Sequence, residues 1–290
     1  MTITTTDLWT MAIAACCAVA CGTIGCFLVL RRMSLLGDAI SHSILPGLAL
    51  AFLFTQSRSP LAMLAGATVI GILTAFLAAG VRRLGRIPED AALGVVFSSL
   101  FAVGVLLITL AADSIDLDPE CVLYGLIETA WADSVAWFGI EVPRILPWQA
   151  GLMLGNIALI ALLFKELRIT TFDAGLASAM GISASLLQFI LLSTVAATTV
   201  ISFEAVGSIL VITMLVAPGA TAQLLTDRLG RMVTLSGILG ATAAVTGCLA
   251  AVHWNTSIAG MISVAAGAQF VMVLLIAPRY GLIARLARNR

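Results

Sequence analysis

The stretch WTMAIAACCAVACGTIGCFLVL, Trp9 to Leu30, carries no charged side chain and runs directly into Arg31-Arg32. As an α-helix rising about 1.5 Å per residue it reaches roughly 30 Å, the thickness of a bilayer's hydrocarbon core. The arginine pair then marks where the chain leaves the lipid. Similar runs recur between charged or Pro/Gly-rich breaks at 34–54, 60–81, 91–112, 145–164, 184–201, 205–224, 232–252 and 257–277. With 9–30 they predict an all-α polytopic membrane protein of eight or nine transmembrane helices, forming one domain over 1–290. The lower number applies if 205–224, which contains Ala217-Pro218-Gly219, is broken or re-entrant. Helix-breaking residues at membrane depth need cover from protein or a water-filled cavity, so this segment is expected to face the interior.

Composition agrees. Of the 290 residues, 61% are hydrophobic and 10% charged, and mean hydropathy is +1.11, against roughly 25% charged residues in a soluble domain. Fifteen basic residues balance fifteen acidic ones, which points to no nucleic-acid partner. No basic residue precedes the first apolar stretch, so a signal peptide is not expected. Counting then removes several enzyme classes. The lone lysine, Lys165, lies outside any Gly-x-x-x-x-Gly-Lys-Ser/Thr loop, so this chain does not cradle ATP phosphates by itself. The two histidines, His42 and His253, form no His-Glu-x-x-His, which excludes the zinc-dependent intramembrane proteases. Cysteines at 16, 17, 21, 26, 121 and 248 form no Cys-x-x-Cys and read as small packing residues.

Orientation follows from the arginines. With Arg31-Arg32 in the cytoplasm, alternation of nine spans puts thirteen of the fifteen basic residues on that side and leaves Arg58 and Arg144 outside. The N-terminus is then extracytoplasmic and the C-terminus cytoplasmic. Segment 113–144 becomes an outer acidic loop whose Asp116, Asp118 and Glu120 either attract cations or a docking protein, or merely solvate the loop. Within it, Leu117 to Ile127 is too short to span and reads as a short surface helix.

Asp38 and His42 are the one strongly polar, titratable pair inside an expected span, in Leu36-Gly37-Asp38-Ala39-Ile40-Ser41-His42-Ser43-Ile44-Leu45-Pro46-Gly47. A carboxylate at bilayer depth costs about 2.5–3.5 kcal/mol on insertion scales, so an intramembrane acid calls for a function or a partner. Residues i and i+4 share a helix face with β-carbons about 5–6 Å apart, so both side chains can converge on one ion. A carboxylate with an imidazole suits zinc, manganese or iron(II), whereas an all-oxygen site suits calcium or magnesium. Two ligands leave the shell incomplete; waters, carbonyls freed before Pro46-Gly47, or another span must finish it. The alternative is an Asp–His hydrogen bond that only locks helices. His253, beside Trp254 at an outer helix end, reads as an interfacial residue.

On the cytoplasmic side, residues 172–181 read as a short helix between two spans. Asp173 is placed to cap its first amides and Gly181 to end it. It lacks the Lys/Arg-rich face of a lipid-surface helix, which favours docking to a partner.

At these residues the sequence resembles the permease subunits of ABC importers for manganese, zinc and iron. The likeness runs through Arg31-Arg32-Met33-Ser34 to Pro46-Gly47, Arg86-Ile87-Pro88-Glu89-Asp90-Ala91-Ala92-Leu93-Gly94, and Asp116-Leu117-Asp118 with Val122-Leu123-Tyr124-Gly125. It continues in Phe164 to Ile182, Val206-Gly207-Ser208 with Ala217-Pro218-Gly219, and Ala277-Pro278-Arg279-Tyr280-Gly281. The resemblance implies a fold similar to the cobalamin and siderophore importers, in the inner membrane of a bacterium. It also implies two permeases, identical or sister subunits, driven by a dimer of cytoplasmic ABC ATPases and supplied by an extracytoplasmic metal-binding protein. Asp38 and His42 then match the metal-coordinating pair. Phe172, Asp173, Leu176, Ala177, Met180 and Gly181 match the ATPase-docking helix. No cofactor is permanently bound; the metal is cargo, with manganese favoured over zinc or iron by the Asp116-to-Gly125 block. The rival readings are an ion-gradient-driven metal or cation transporter, which needs coupling carboxylates in several spans, and a membrane enzyme, whose catalytic constellation the chain lacks.

Overall fold

The computed structural model describes residues 4–55, 60–111, 127, 134–137 and 140–277. The helices are α1 (Thr5–Leu30), α2 (Leu36–Ser43), α3 (Leu45–Thr55), α4 (Pro60–Gly85), α5 (Glu89–Ala111), α6 (Ile145–Leu162), α7 (Phe164–Phe172), α8 (Ala174–Ala179), α9 (Ala184–Val206), α10 (Ser208–Leu225), α11 (Leu229–Trp254) and α12 (Ile258–Ile276). An antiparallel hairpin, β1 (Ser134–Trp137) with β2 (Ile140–Pro143), pairs Val135 with Val142 just before α6. With α2 and α3 taken as one span, nine helices among the described residues are long and apolar enough to cross a membrane.

α1 is the axis of the bundle, packed by α6, α9, α10 and α11. It opens on a reciprocal cap: the Thr4 hydroxyl accepts from the Asp7 amide (3.4 Å) and Asp7 Oδ2 accepts from the Thr4 amide (2.9 Å). From Ile13 to Leu28 nearly every side chain is buried. Lipid supplies no hydrophobic drive between helices, so close backbone approach and interhelical hydrogen bonds must hold them. Both are present. A β-carbon on Gly25 would overlap the Leu215 carbonyl of α10. Ser236 Oγ of α11 donates to the Gly22 carbonyl (2.7 Å), and Asn156 Nδ2 of α6 donates to the Ala20 carbonyl (3.2 Å) and to Thr198 Oγ1 of α9 (2.9 Å). Cys17, Cys21 and Cys26 lie buried and unbridged in the same interior.

Two interruptions decide how the site is placed. Of the two alternatives left open for 205–224, the structure takes the unbroken one: the helix is continuous through Pro218. The break falls at Gly207, whose φ of 81° and ψ of 167° no β-carbon-bearing residue adopts easily and which alone separates α9 from α10. The other interruption is Ile44, between α2 and α3, with αR-type backbone (φ −72°, ψ −18°), so the chain kinks without turning back. Pro46 causes it: it has no amide hydrogen to return to the His42 carbonyl, and the next amide, Gly47, bonds the Ile44 carbonyl (2.9 Å) in a tighter three-residue turn.

The kink is clamped. Gly47 of α3 and Gly66 of α4 meet backbone to backbone, each where a β-carbon on one would overlap the other's carbonyl. Behind it, a β-carbon on Gly104 of α5 would lie 2.8 Å from Leu45 Cβ and Pro46 Cδ. Ser43 Oγ and Thr74 Oγ1 share a buried 2.6 Å hydrogen bond from α2 to α4. Gly66→Val should therefore cost about 1–3 kcal/mol by overpacking and lower the melting temperature of the detergent-solubilised protein. Gly80→Ala, which meets nothing within 4 Å, should leave it unchanged or raised.

Candidate metal site and docking helix

α2 is packed by α4, α5, α9 and α10. Leu36, Gly37, Ala39, Ile40, Ser41 and Ser43 are buried; Asp38 and His42 are the two α2 residues that are not, with side chains about 40% exposed. Gly37 is squeezed against Leu215, where a β-carbon would approach Cδ1 to 2.6 Å, and Ile40 faces Gly71 of α4. Ser41 Oγ donates to the Asp38 carbonyl (2.8 Å), so its polarity is spent within the helix. The face left open thus carries one carboxylate and one imidazole, with His42 Nε2 3.4 Å from Asp38 Oδ1. Phe97 of α5 flanks the imidazole at a ring-centroid distance of 6.1 Å, a neighbour that sequence spacing did not suggest.

Among the described residues no group of three or more His, Cys, Asp or Glu side chains could hold a metal. Asp38 and His42 therefore offer two ligands, and the His42 carbonyl lacks its usual helical donor at Pro46. Asp116, Asp118 and Glu120 lie outside the described residues. His253 packs edge-on against Trp254 (5.9 Å) at the end of α11, as expected of an interfacial pair. Glu204, left outside span 184–201 by the sequence reading, falls in the last turn of α9.

The short helix expected at 172–181 is smaller than that range. α8 has six residues, Ala174–Ala179, capped by Asp173 Oδ1 accepting from the Leu176 amide (2.9 Å). It is closed by Gly181 at φ 79°, with Gly181 N–H on the Ser178 carbonyl (3.1 Å) and Ile182 N–H on the Ala177 carbonyl (2.9 Å). Phe172 belongs to α7. Ala177 is fully buried within this chain and so presents nothing to a partner. The exposed apolar residues are Phe172 (63%), Leu176 (52%) and Met180 (59%), four residues apart. Phe172 also lines an open cleft of about 460 Å³ with Leu30, Leu224, Leu229 and Met232.

The profile of the ABC 3 transport family matches residues 5–277, nearly the whole chain. The chain belongs to that family. This ABC 3 transport family member is 40% identical over 284 residues to the manganese transport system membrane protein MntD of Bacillus subtilis (strain 168), covering 98% of this chain and 96% of MntD. It is 40% identical over 273 residues to the zinc transport system membrane protein TroD of Treponema pallidum (strain Nichols), covering 94% and 74% of the two chains. Among solved structures it superposes on a chain of PsaBC from Streptococcus pneumoniae in complex with Fab with a TM-score of 0.78 and 32% identity, over 97% of this chain and 94% of that one. The predominantly helical, multi-span architecture, interrupted among the described residues by the one short hairpin before α6, is thus that of an ABC-transporter permease.

For this family member, the capping geometry predicts that Asp173→Ala should destabilise α8 by about 1 kcal/mol. Hydrogen–deuterium exchange should then speed up roughly fivefold at the amides of residues 176–182 and stay unchanged in α1.

Proposed function

We propose that this chain is the membrane-spanning subunit of an ABC importer for a divalent transition metal, and that the metal passes over Asp38 and His42. The carrying observation is the open face of α2, where burial has removed every residue except a carboxylate and an imidazole 3.4 Å apart. A pair that only locked helices together would be expected inside the packing, as Ser43 and Thr74 are. Conduction requires a site good enough to enter and weak enough to leave, and two protein ligands completed by water, the His42 carbonyl or a second permease meet that need. The family assignment, with MntD and TroD named for metal transport, supports the cargo class. Their equal identity to this chain leaves manganese favoured only by the Asp116-to-Gly125 sequence block.

ATP hydrolysis falls to a separate ATPase dimer that docks on Phe172, Leu176 and Met180, and an extracytoplasmic binding protein delivers the metal. Closure of the ATPases, felt at α8, rocks the helical bundles and opens the Asp38–His42 face toward the cytoplasm. The ion-gradient reading is not favoured by the family assignment, whose model describes ABC transport.

Two measurements check this. Uptake of radioactive manganese, zinc and iron by cells carrying Asp38→Asn or His42→Ala should fall by at least roughly tenfold for the true cargo, with the ATPase still co-purifying; near wild-type uptake in both variants would reject the site. Leu176→Asp should strip the ATPase from a well-folded permease by placing an unpaired charge in an apolar contact. Ala177→Asp should instead lower folded yield, because its side chain would enter this chain's own interior.

A further inference from the structure

The metal pair and the docking surface lie in different parts of the chain, and one side chain joins them. Arg31, the residue that ends α1, reaches across to the end of α7. Its Nε donates to Thr171 Oγ1 (3.2 Å), and its Nη2 donates to Thr170 Oγ1 and Thr171 Oγ1 (3.2 Å each). Thr170 is itself buried, and its hydroxyl proton is directed to the Glu166 carbonyl (2.9 Å), which leaves its lone pairs to Arg31. A guanidinium is usually spent on carboxylates; here its described partners are two hydroxyls of one helix end. Burial also pushes the Arg31 pKa below its ordinary value.

Both ends of this bracket are stiff. On one side, Arg32 N–H bonds the Val29 carbonyl (3.1 Å) and Met33 N–H the Leu28 carbonyl (2.9 Å), with Arg32 in the left-handed region at φ 60°. Met33 is buried, and its carbonyl accepts from the Leu36 amide (3.1 Å), so α2 starts on a locked turn. On the other side, Asp173 alone separates α7 from α8; its amide bonds the Ile169 carbonyl (2.8 Å) and its side chain caps α8. A displacement of α8 therefore reaches Thr170 and Thr171 without crossing a loose loop. From Arg31 it reaches Leu36, two residues before Asp38, in the same way.

We infer that Arg31, with Thr170 and Thr171, is the positioning link that transmits movement of the docking helix to the Asp38–His42 helix. The inference rests on the docking and metal-pair readings above and adds the residues that couple them. Arginine suits the task because its planar fork holds two acceptors at a fixed angle, which a lysine ammonium on a flexible stem does not.

The test is the amount of manganese transported per ATP hydrolysed, measured in proteoliposomes holding the permease with its ATPase and second permease and supplied with the binding protein. Arg31→Lys, and separately Thr170→Val with Thr171→Val, should retain the ATPase and its hydrolysis while lowering metal moved per ATP by roughly fivefold or more. A wild-type ratio in the folded double-threonine variant would overturn the link. So would a wild-type ratio in Arg31→Lys, as expected if Arg31 merely anchored a lipid phosphate. Asp38→Asn run alongside separates the two ideas: wild-type transport there refutes the metal pair, whereas a lowered ratio confined to the Arg31 and threonine variants still supports the link.

Discussion

Helices in lipid gain nothing by hiding apolar surface from other apolar surface, so this bundle depends on how closely its backbones can approach. The contact between Gly47 and Gly66 is the case that matters most. It draws α3 against α4 at the point where Pro46 has already disturbed the helix, and Gly104 closes the same point from α5. With the kink held on these sides, α2 is pressed into the interior and just one of its faces stays open. The polar pair sits on that face. The bundle packing thus selects which residues the kinked span leaves on its open face.

The same dependence explains what was and was not legible in the sequence. Span-length apolar runs were legible because the bilayer imposes their length, and the Asp38–His42 adjacency because i and i+4 always share a helix face. The Asp173 cap and the Gly181 stop were legible for the same local reason. The central position of α1 was not: α12 is nearly as apolar, yet faces outward over most of its length, since lipid-facing and buried helices have the same composition when the solvent is hydrocarbon. Ala177 was misjudged because its burial is decided by neighbours outside its own helix. Pro218 left a break open because proline usually makes one; Gly207, whose backbone angles end α9, carries no such signal in its surroundings. The contacts from Arg31 to Thr170 and Thr171 span 139 and 140 residues of sequence, beyond any local pattern. The residues of the 116–125 block, on which the preference for manganese rests, lie outside the described structure.

In the proposed mechanism three tasks fall along one chain: α2 presents the ligands, α8 with Phe172 presents an apolar stripe to the ATPase, and the Arg31 bracket lets the two move together. Each task uses a different interaction: a carboxylate–imidazole pair on an open face, exposed apolar side chains on a capped helix, and a guanidinium fork on two hydroxyls. Damage to one should therefore leave the others recognisable, which makes the functions separable by mutation.

The central claim is that a transition metal is coordinated by His42 beside Asp38. It is tested most directly by pulsed electron paramagnetic resonance of manganese(II) loaded into the assembled transporter. Modulation from a directly coordinated imidazole nitrogen that disappears in His42→Ala is the predicted result. A fully aquated manganese spectrum, or nitrogen modulation that survives His42→Ala, would contradict it.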